Sequence, residues 1–153
     1  MTSPITWQCA TLNELSSGQL YAILKARCEV FISEQQCIYN DVDGKDLACL
    51  HLIAWDSDND VAAYLRIHGP ATTYPEPSLG RVLSTAKHRG TGIGRQLVQR
   101  GLTQLEATYP NQAVRISAQS YLKDFYRSFG FEEVSDEYLE DGIPHTEMLR
   151  PAK

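Results

Sequence analysis

No apolar run in the 153-residue chain approaches the ~20 residues needed to cross a bilayer, so a transmembrane protein is not expected. Met1 to Thr6 offers neither basic residues nor a long apolar run, and no secretory segment is read there. Cysteine is scarce: Cys9, Cys28, Cys37 and Cys49 form no Cys-x-x-Cys pair, and no histidines stand at matching spacing. That argues against a zinc or other metal centre and for buried, inert thiols in a reducing, cytoplasmic setting. Positive charge is also short, with 14 Lys and Arg against 19 Asp and Glu for a net charge of −5. Nucleic acid and an anionic membrane surface are therefore poor partners, whereas a cationic amine is compatible. Neither a Gly-Lys-Ser/Thr tripeptide nor a G-x-G-x-x-G run occurs, since Arg95 and Leu97 stand three positions beyond Gly92 and Gly94. These gaps exclude a nucleotide P-loop and a dinucleotide fingerprint.

What is present is Arg89-Gly90-Thr91-Gly92-Ile93-Gly94, fed by a strand-like Arg81-Val82-Leu83-Ser84-Thr85 and followed by a helical pattern. Glycines at three alternate positions let main-chain N–H groups approach a ligand closely. The helix beyond adds unpaired donors and a positive dipole end, which together suit a phosphate. In that helix Ile93, Leu97, Val98, Leu102, Leu105 and Tyr109 keep the 3.6-residue period, and Pro110 ends it.

The remaining elements follow from period and punctuation. Ile5 to Ala10 alternates as a strand does, and Ser16 with Gln19 forms a capping box for a helix over roughly Ser17 to Glu34. Gln35 to Leu47, with Asp41, Asp43, Gly44 and Asp46, reads as a solvated loop. It lacks the further carboxylates and closing Glu of an EF-hand. Leu50 to Trp55 and Val61 to His68 predict an antiparallel hairpin across Asp56-Ser57-Asp58-Asn59-Asp60, and Pro70 to Pro77 a second loop. Leu79 to Thr85 is the strand before the glycines, and Val114, Ile116 and Ala118 alternate in the next. A short helix bears Leu122, Phe125, Tyr126 and Phe129, with Gly130 as its left-handed cap. Phe131 to Val134 and Thr146 to Leu149 close the chain around an acidic loop holding Asp141, Gly142, Pro144 and His145. The order β-α-β-β-β-α-β-α-β-β predicts one domain over residues 1–153, of α/β (mixed α+β) class, with a mostly antiparallel sheet flanked by helices.

The R-x-x-G-x-G of Arg89, Gly92 and Gly94 resembles the coenzyme A pyrophosphate loop of the GNAT (GCN5-related) N-acetyltransferases. That family's later N-x-x-A-x-x-x-Y-x-x-x-G-F pattern is met by Tyr126, Gly130 and Phe131, with Gln119 and Leu122 departing from it. Arg27 to Gln35 and Glu137 to His145 are similar to the ElaA-like branch, whose acceptor is poorly defined. The resemblance implies the GNAT fold, acetyl-CoA as cofactor, and acyl transfer to a primary amine of a small molecule or of a peptide or lysine.

Carried over residue by residue, it implies a pyrophosphate on the N–H groups of Arg89, Gly90, Thr91, Gly92, Ile93, Gly94 and Arg95. Pantetheine would lie along Val82, Leu83 and Ser84, with Gln119 nearby and the N–H near Leu83 as oxyanion donor. Tyr126 would be the general acid, a phenol of pKa ~10 protonating a thiolate whose acid has pKa ~8.5; a core role is its other reading. No carboxylate lies in Leu79 to Thr85 where many members keep their base. Glu34 and His145 are the candidates, with His51 behind them as a core or edge histidine; His68 and His88 read as surface residues, His88 beside the loop. The alternatives are a non-catalytic acyl-CoA-binding or interaction module, and a distant likeness to acyl-homoserine lactone synthases through Arg27, Phe31, Asp41 and Asp43. A homodimer is left open.

Overall fold

A computed structural model describes residues 4–153. Strand β1 (Thr6–Thr11) leads through a short turn to helix α1 (Ser17–Arg27). The expected box caps that helix: Gln19 N–H donates to Ser16 Oγ at 3.1 Å, and Ser16 N–H to Gln19 Oε1 at 3.0 Å. The helical run continues to Glu34, but Cys28–Glu34 is wound as a π-helix, and Cys37 N–H then reaches back five residues to the Ile32 carbonyl. Such wide turns gather near functional sites because they re-aim side chains without ending a helix.

Strands β2 (Leu50–Trp55), β3 (Val61–His68) and β4 (Ser78–Ser84) complete an antiparallel sheet in the order β1-β2-β3-β4. The β2–β3 turn forms as read: Asp56 accepts the N–H groups of Asp58 and Asp60 while Asn59 takes φ +62°. Helix α2 (Ile93–Thr108), strand β5 (Val114–Gln119) and helix α3 (Lys123–Arg127) follow. A second antiparallel group places β8 (Ile143–Arg150) between β5 and β6 (Glu132–Glu133), with β7 (Tyr138–Glu140) also on β8.

Two sequence expectations change here. The acidic closing loop is a β7–β8 hairpin around Asp141 and Gly142, both at positive φ, so Pro144 and His145 lie in a strand rather than a loop. Gln35 to Leu47 is a largely exposed loop as read, but Asp41 and Asp46 within it are only 4% and 9% exposed, because arginines from three elements neutralise them.

Each sheet face has its own apolar cluster. On one, Leu65, Ile67 and Leu79 meet Leu97, Val98 and Leu102 of α2 together with Ile116, Phe131 and Met148. The helix lies so close that a Cβ on Gly101 would come within 2.9 Å of Leu65. On the other, Ile53, Tyr64 and Leu83 meet Ile23, Ala26, Val30 and Phe31. Between the groups, β4 and β5 are held at their beginnings by Arg115 N–H on the Pro77 carbonyl at 3.1 Å and by the Arg115 fork on Glu76 at 3.0 and 3.1 Å. Towards Ser84 and Gln119 the strands line opposite walls of a cavity. No helix among the described residues is long and apolar enough to cross a membrane.

Candidate functional site

The cavity has a volume of about 820 Å³ and runs from the glycine loop, between β4 and β5, to the Gln35–Leu47 segment and the β7–β8 hairpin. Arg89 and Gly94 of the glycine loop line one part of it, beside a set of main-chain donors. Gly90 and Gly92 take φ +76° and +82°, and Thr91 Oγ1 donates to the His88 carbonyl at 2.6 Å to pin the turn. Gly92 is the N-cap and offers no capping side chain, and its carbonyl already takes Gln96 N–H, so the N–H groups of Ile93, Gly94 and Arg95 lack helical partners. A Cβ on Gly94 would meet nothing within 4 Å. This is an anion cradle with open space before it.

The two arginines expected to add charge are differently held. Arg89 ties the loop to β4 through the Ser84 carbonyl at 2.8 and 3.0 Å and pairs with Glu34 at 2.6 Å. Arg95 donates to Ser128 Oγ at 3.1 Å and lies over the Phe129 ring, 5.0 Å from its centroid. Beyond the loop, β4 is irregular. Leu83 faces Tyr64 and Gly80 faces Arg66, so Arg81 and Val82 stand opposite Leu65 alone, a β-bulge with Arg81 at φ +50°. Val82, Leu83 and Ser84 all line the cavity.

From the facing side comes Tyr126, 5% exposed, edge-on to Phe125 and Phe131. It lines the cavity, its hydroxyl makes no hydrogen bond among the described residues, and burial pushes its pKa well above the phenol range. Gln119 and Gln35 exchange side-chain amide bonds at 3.3 and 3.4 Å, joining β5 to the segment after the π-helix.

The candidate bases separate on their partners. Glu34 lines the cavity but its carboxylate is taken by Arg89. His145, paired in register with Gln119, has Nδ1 2.7 Å from the Ile143 carbonyl, stacks on Tyr138, and has Nε2 3.4 Å from Glu140 Oε2. A carbonyl can only accept, so Nδ1 carries hydrogen and the Nε2 lone pair of the neutral ring is free. His51 is a satisfied core residue between Tyr64 Oη at 2.6 Å and the Asp46 carbonyl at 2.9 Å, and burial lowers its pKa.

His68 and His88 are not the plain surface residues expected. His88 holds Asp56 at 2.9 Å, and with Lys87 lowers that carboxyl to about 2 against its burial. His68 is buried beside Cys49 Sγ at 3.4 Å and lines the cavity; burial, then the charges of Arg66 and Lys45, lower its pKa to about 4. Of the thiols, Cys37 and Cys49 are buried and Cys9 and Cys28 exposed.

Sequence reasoning also missed an ion-pair group beside the cavity. Arg27, 1% exposed, pairs with Asp41 and Asp46 at 2.7 Å each. Arg66 pairs with Asp43 at 2.5 Å and Asp46 at 3.0 Å, and Arg81 with Asp41 at 3.0 Å and Asp43 at 3.3 Å. Despite its partial burial, Asp43 is held far below the carboxylate range by Arg66 and Arg81.

Residues 20–150 match the family described as acetyltransferase (GNAT) domain. Protein ElaA of Escherichia coli is 41% identical over 148 residues, covering 95% of this chain and 96% of that one. The crystal structure of E. coli ElaA matches with a TM-score of 0.90 at 40% identity, over 96% of this chain and 99% of that one. An acyl-CoA N-acyltransferase from Pseudomonas aeruginosa matches with the same four values. Likeness to the AHL synthase LasI, with a TM-score of 0.74 at 16% identity, extends to the fold alone.

Proposed function

This chain belongs to the acetyltransferase (GNAT) domain family, in its ElaA-like branch, and from that premise we propose that it is an acetyl-CoA-dependent N-acetyltransferase acting on a primary amine. The observation that carries the reading is the continuity of one cavity from Gly94 at the start of α2, past the β4 bulge and Tyr126, to His145. The fit to the cofactor rests on the open space before Gly94, where any side chain would intrude. When bound, acetyl-CoA supplies an activated thioester carbonyl.

The chain's own residues then have four tasks. The main-chain N–H groups of Gly90 to Arg95 hold the diphosphate against the dipole end of α2, with Arg89 neutralising charge once it turns from Glu34. Val82, Leu83 and Ser84 offer main-chain groups to the amides of the pantetheine arm as an added strand would. A main-chain N–H near Leu83 would be the donor offered to the thioester oxygen. His145 Nε2 takes the proton of the incoming ammonium, directly or through a water, and Tyr126 gives its hydroxyl proton to the departing thiolate.

His145 is preferred to Glu34 because its Nε2 lies 3.4 Å from the half-exposed Glu140 carboxylate, a looser contact than the 2.6 Å pair that occupies Glu34 with Arg89. The β7–β8 wall adds Glu140 beside that imidazole, an electrostatic preference for a cationic acceptor. The test is to mix the protein with acetyl-CoA and a panel of small-molecule and peptide amines and follow thiol release. Turnover on at least one amine is expected. Cofactor binding with no turnover on any amine would leave a non-catalytic acyl-CoA-binding module.

A further inference from the structure

Arg81 occupies a backbone position that a side chain resists. Its φ of +50° lies in the left-handed region, where the Cβ of an L-residue crowds its own carbonyl and glycine is the unstrained choice. The residue sits in the β4 bulge, two residues before Leu83. A bulge alone does not need an arginine, so something else holds one there.

The side chain gives the reason. Arg81 Nη2 donates to the Asp41 carbonyl at 3.0 Å and to Asp43 Oδ2 at 3.3 Å, and Nε lies 3.0 Å from Asp41 Oδ1 as an ion pair without hydrogen-bond alignment. The guanidinium rests on the Tyr39 ring, 5.3 Å from its centroid. Tyr39 Oη in turn donates to Asp41 Oδ1 at 2.6 Å, while buried Arg27 fixes the same aspartate through both its carboxylate and its carbonyl at 2.7 Å. The anchoring groups all come from residues 39–43 and α1, so the segment that walls the acceptor side also fixes the backbone of β4.

We propose that Arg81 is a positioning residue: its clamp to Asp41, Asp43 and Tyr39 holds the β4 bulge in the left-handed conformation that sets the main chain of Val82, Leu83 and Ser84 along the cavity. The catalytic part of this inference rests on the acetyltransfer reading above; the geometric part does not. Bulges bend a strand and release it from its neighbour, and they are maintained only where surrounding contacts over-determine them. Here a side-chain clamp supplies that constraint. A rival role, direct contact of the guanidinium with the acceptor, makes the opposite ranking of variants.

The experiment compares Arg81→Gly, Arg81→Ala and Arg81→Lys. All three lose the clamp, but only glycine accepts the left-handed φ freely, so Arg81→Gly should keep about a third or more of the wild-type kcat. Arg81→Ala and Arg81→Lys should lose roughly tenfold or more in kcat, as misplacement of an oxyanion donor does, with KM for acetyl-CoA within about twofold of wild type. If Arg81→Ala does not fold, the lysine and glycine pair carries the test. Arg81→Lys at wild-type rate with Arg81→Gly inactive would overturn the proposal, as would three equal rates. If the wild-type protein turns over no amine, the acetyltransfer reading fails and the clamp is judged by the Leu83 amide in ¹H–¹⁵N spectra. A resonance moved by Arg81→Ala and left in place by Arg81→Gly upholds it; one moved by neither, or by both equally, sinks it.

Discussion

Tyr126→Phe removes one oxygen from the centre of the proposed chemistry, and the structure sets what else should change. The Tyr126 hydroxyl has no hydrogen-bond partner among the described residues, and the ring is packed by Phe125 and Phe131 in a way phenylalanine reproduces. The stability loss should therefore stay below about 0.5 kcal/mol. Tyr64 is the matched control: it is equally buried, but its hydroxyl lies 2.6 Å from His51 Nδ1, so Tyr64→Phe strands a buried imidazole nitrogen and should lose about 1–3 kcal/mol. On activity the order reverses. Burial raises the Tyr126 pKa, which leaves the phenol protonated but makes it a weaker acid, and removing a general acid of this kind lowers kcat by roughly 10²-fold or more. Free coenzyme A should bind Tyr126→Phe as it binds wild type, because no cradle donor is touched. Denaturant melts, coenzyme A titration and thiol release under saturating acetyl-CoA measure the three quantities. A Tyr126→Phe enzyme within about threefold of wild-type kcat would refute the acid assignment and return Tyr126 to the core.

Gly94→Ala should separate folding from binding: the added methyl meets no protein atom and favours the helix, raising Tm by about 2–4 °C, while it fills the diphosphate approach and weakens coenzyme A by roughly tenfold. Calorimetric melts and ligand titration on one preparation would show both. His145→Asn should lower kcat by about 10²-fold, whereas Glu34→Gln should change it less than about threefold; the reverse ranking in the thiol assay would make Glu34 the base. Asp56→Asn tests the β2–β3 turn by pH. Because the folded carboxyl is lowered to about 2, its stabilisation is fully present above the unfolded pKa near 4 and lost as pH falls through 2. Denaturant curves should show Asp56→Asn about 1–2 kcal/mol less stable than wild type at pH 7, with the gap closing between pH 5 and 2.

The strands and the glycine loop were legible because each rests on a local rule. Alternation with period two placed β1 and β5, strand-like apolar runs joined by turn chemistry placed the β2–β3 hairpin across Asp56–Asp60, and the Ser16/Gln19 box placed the start of α1. The π-helical turn at Cys28–Glu34 was not legible, since an extra residue per turn leaves no composition mark and the apolar spacing of Val30 and Phe31 still reads as α. Strand β7 was missed for another reason. Three residues are too few for a period, and Tyr138–Glu140 is a strand only because β8 lies beside it.

The site divides along the same line. Tyr126, Gly94 and Gln119, which sit at fixed offsets in one or two elements, line one cavity, while Gly90 and Gly92 are not among its lining residues. The Asp41, Asp43 and Asp46 group could not be read, because an acidic loop is ordinarily solvated and its neutralising partners lie on α1, β3 and β4. Buried ion pairs are weak sources of stability, since desolvation offsets most of the attraction. That balance bears on why the group stands where it does. Three arginines and three aspartates contribute almost no net charge, yet they tie α1, β3 and β4 to one short segment at the acceptor wall. The ion pairs that add little to folding therefore add register, and they place it at the bulge where the strand must leave its neighbour.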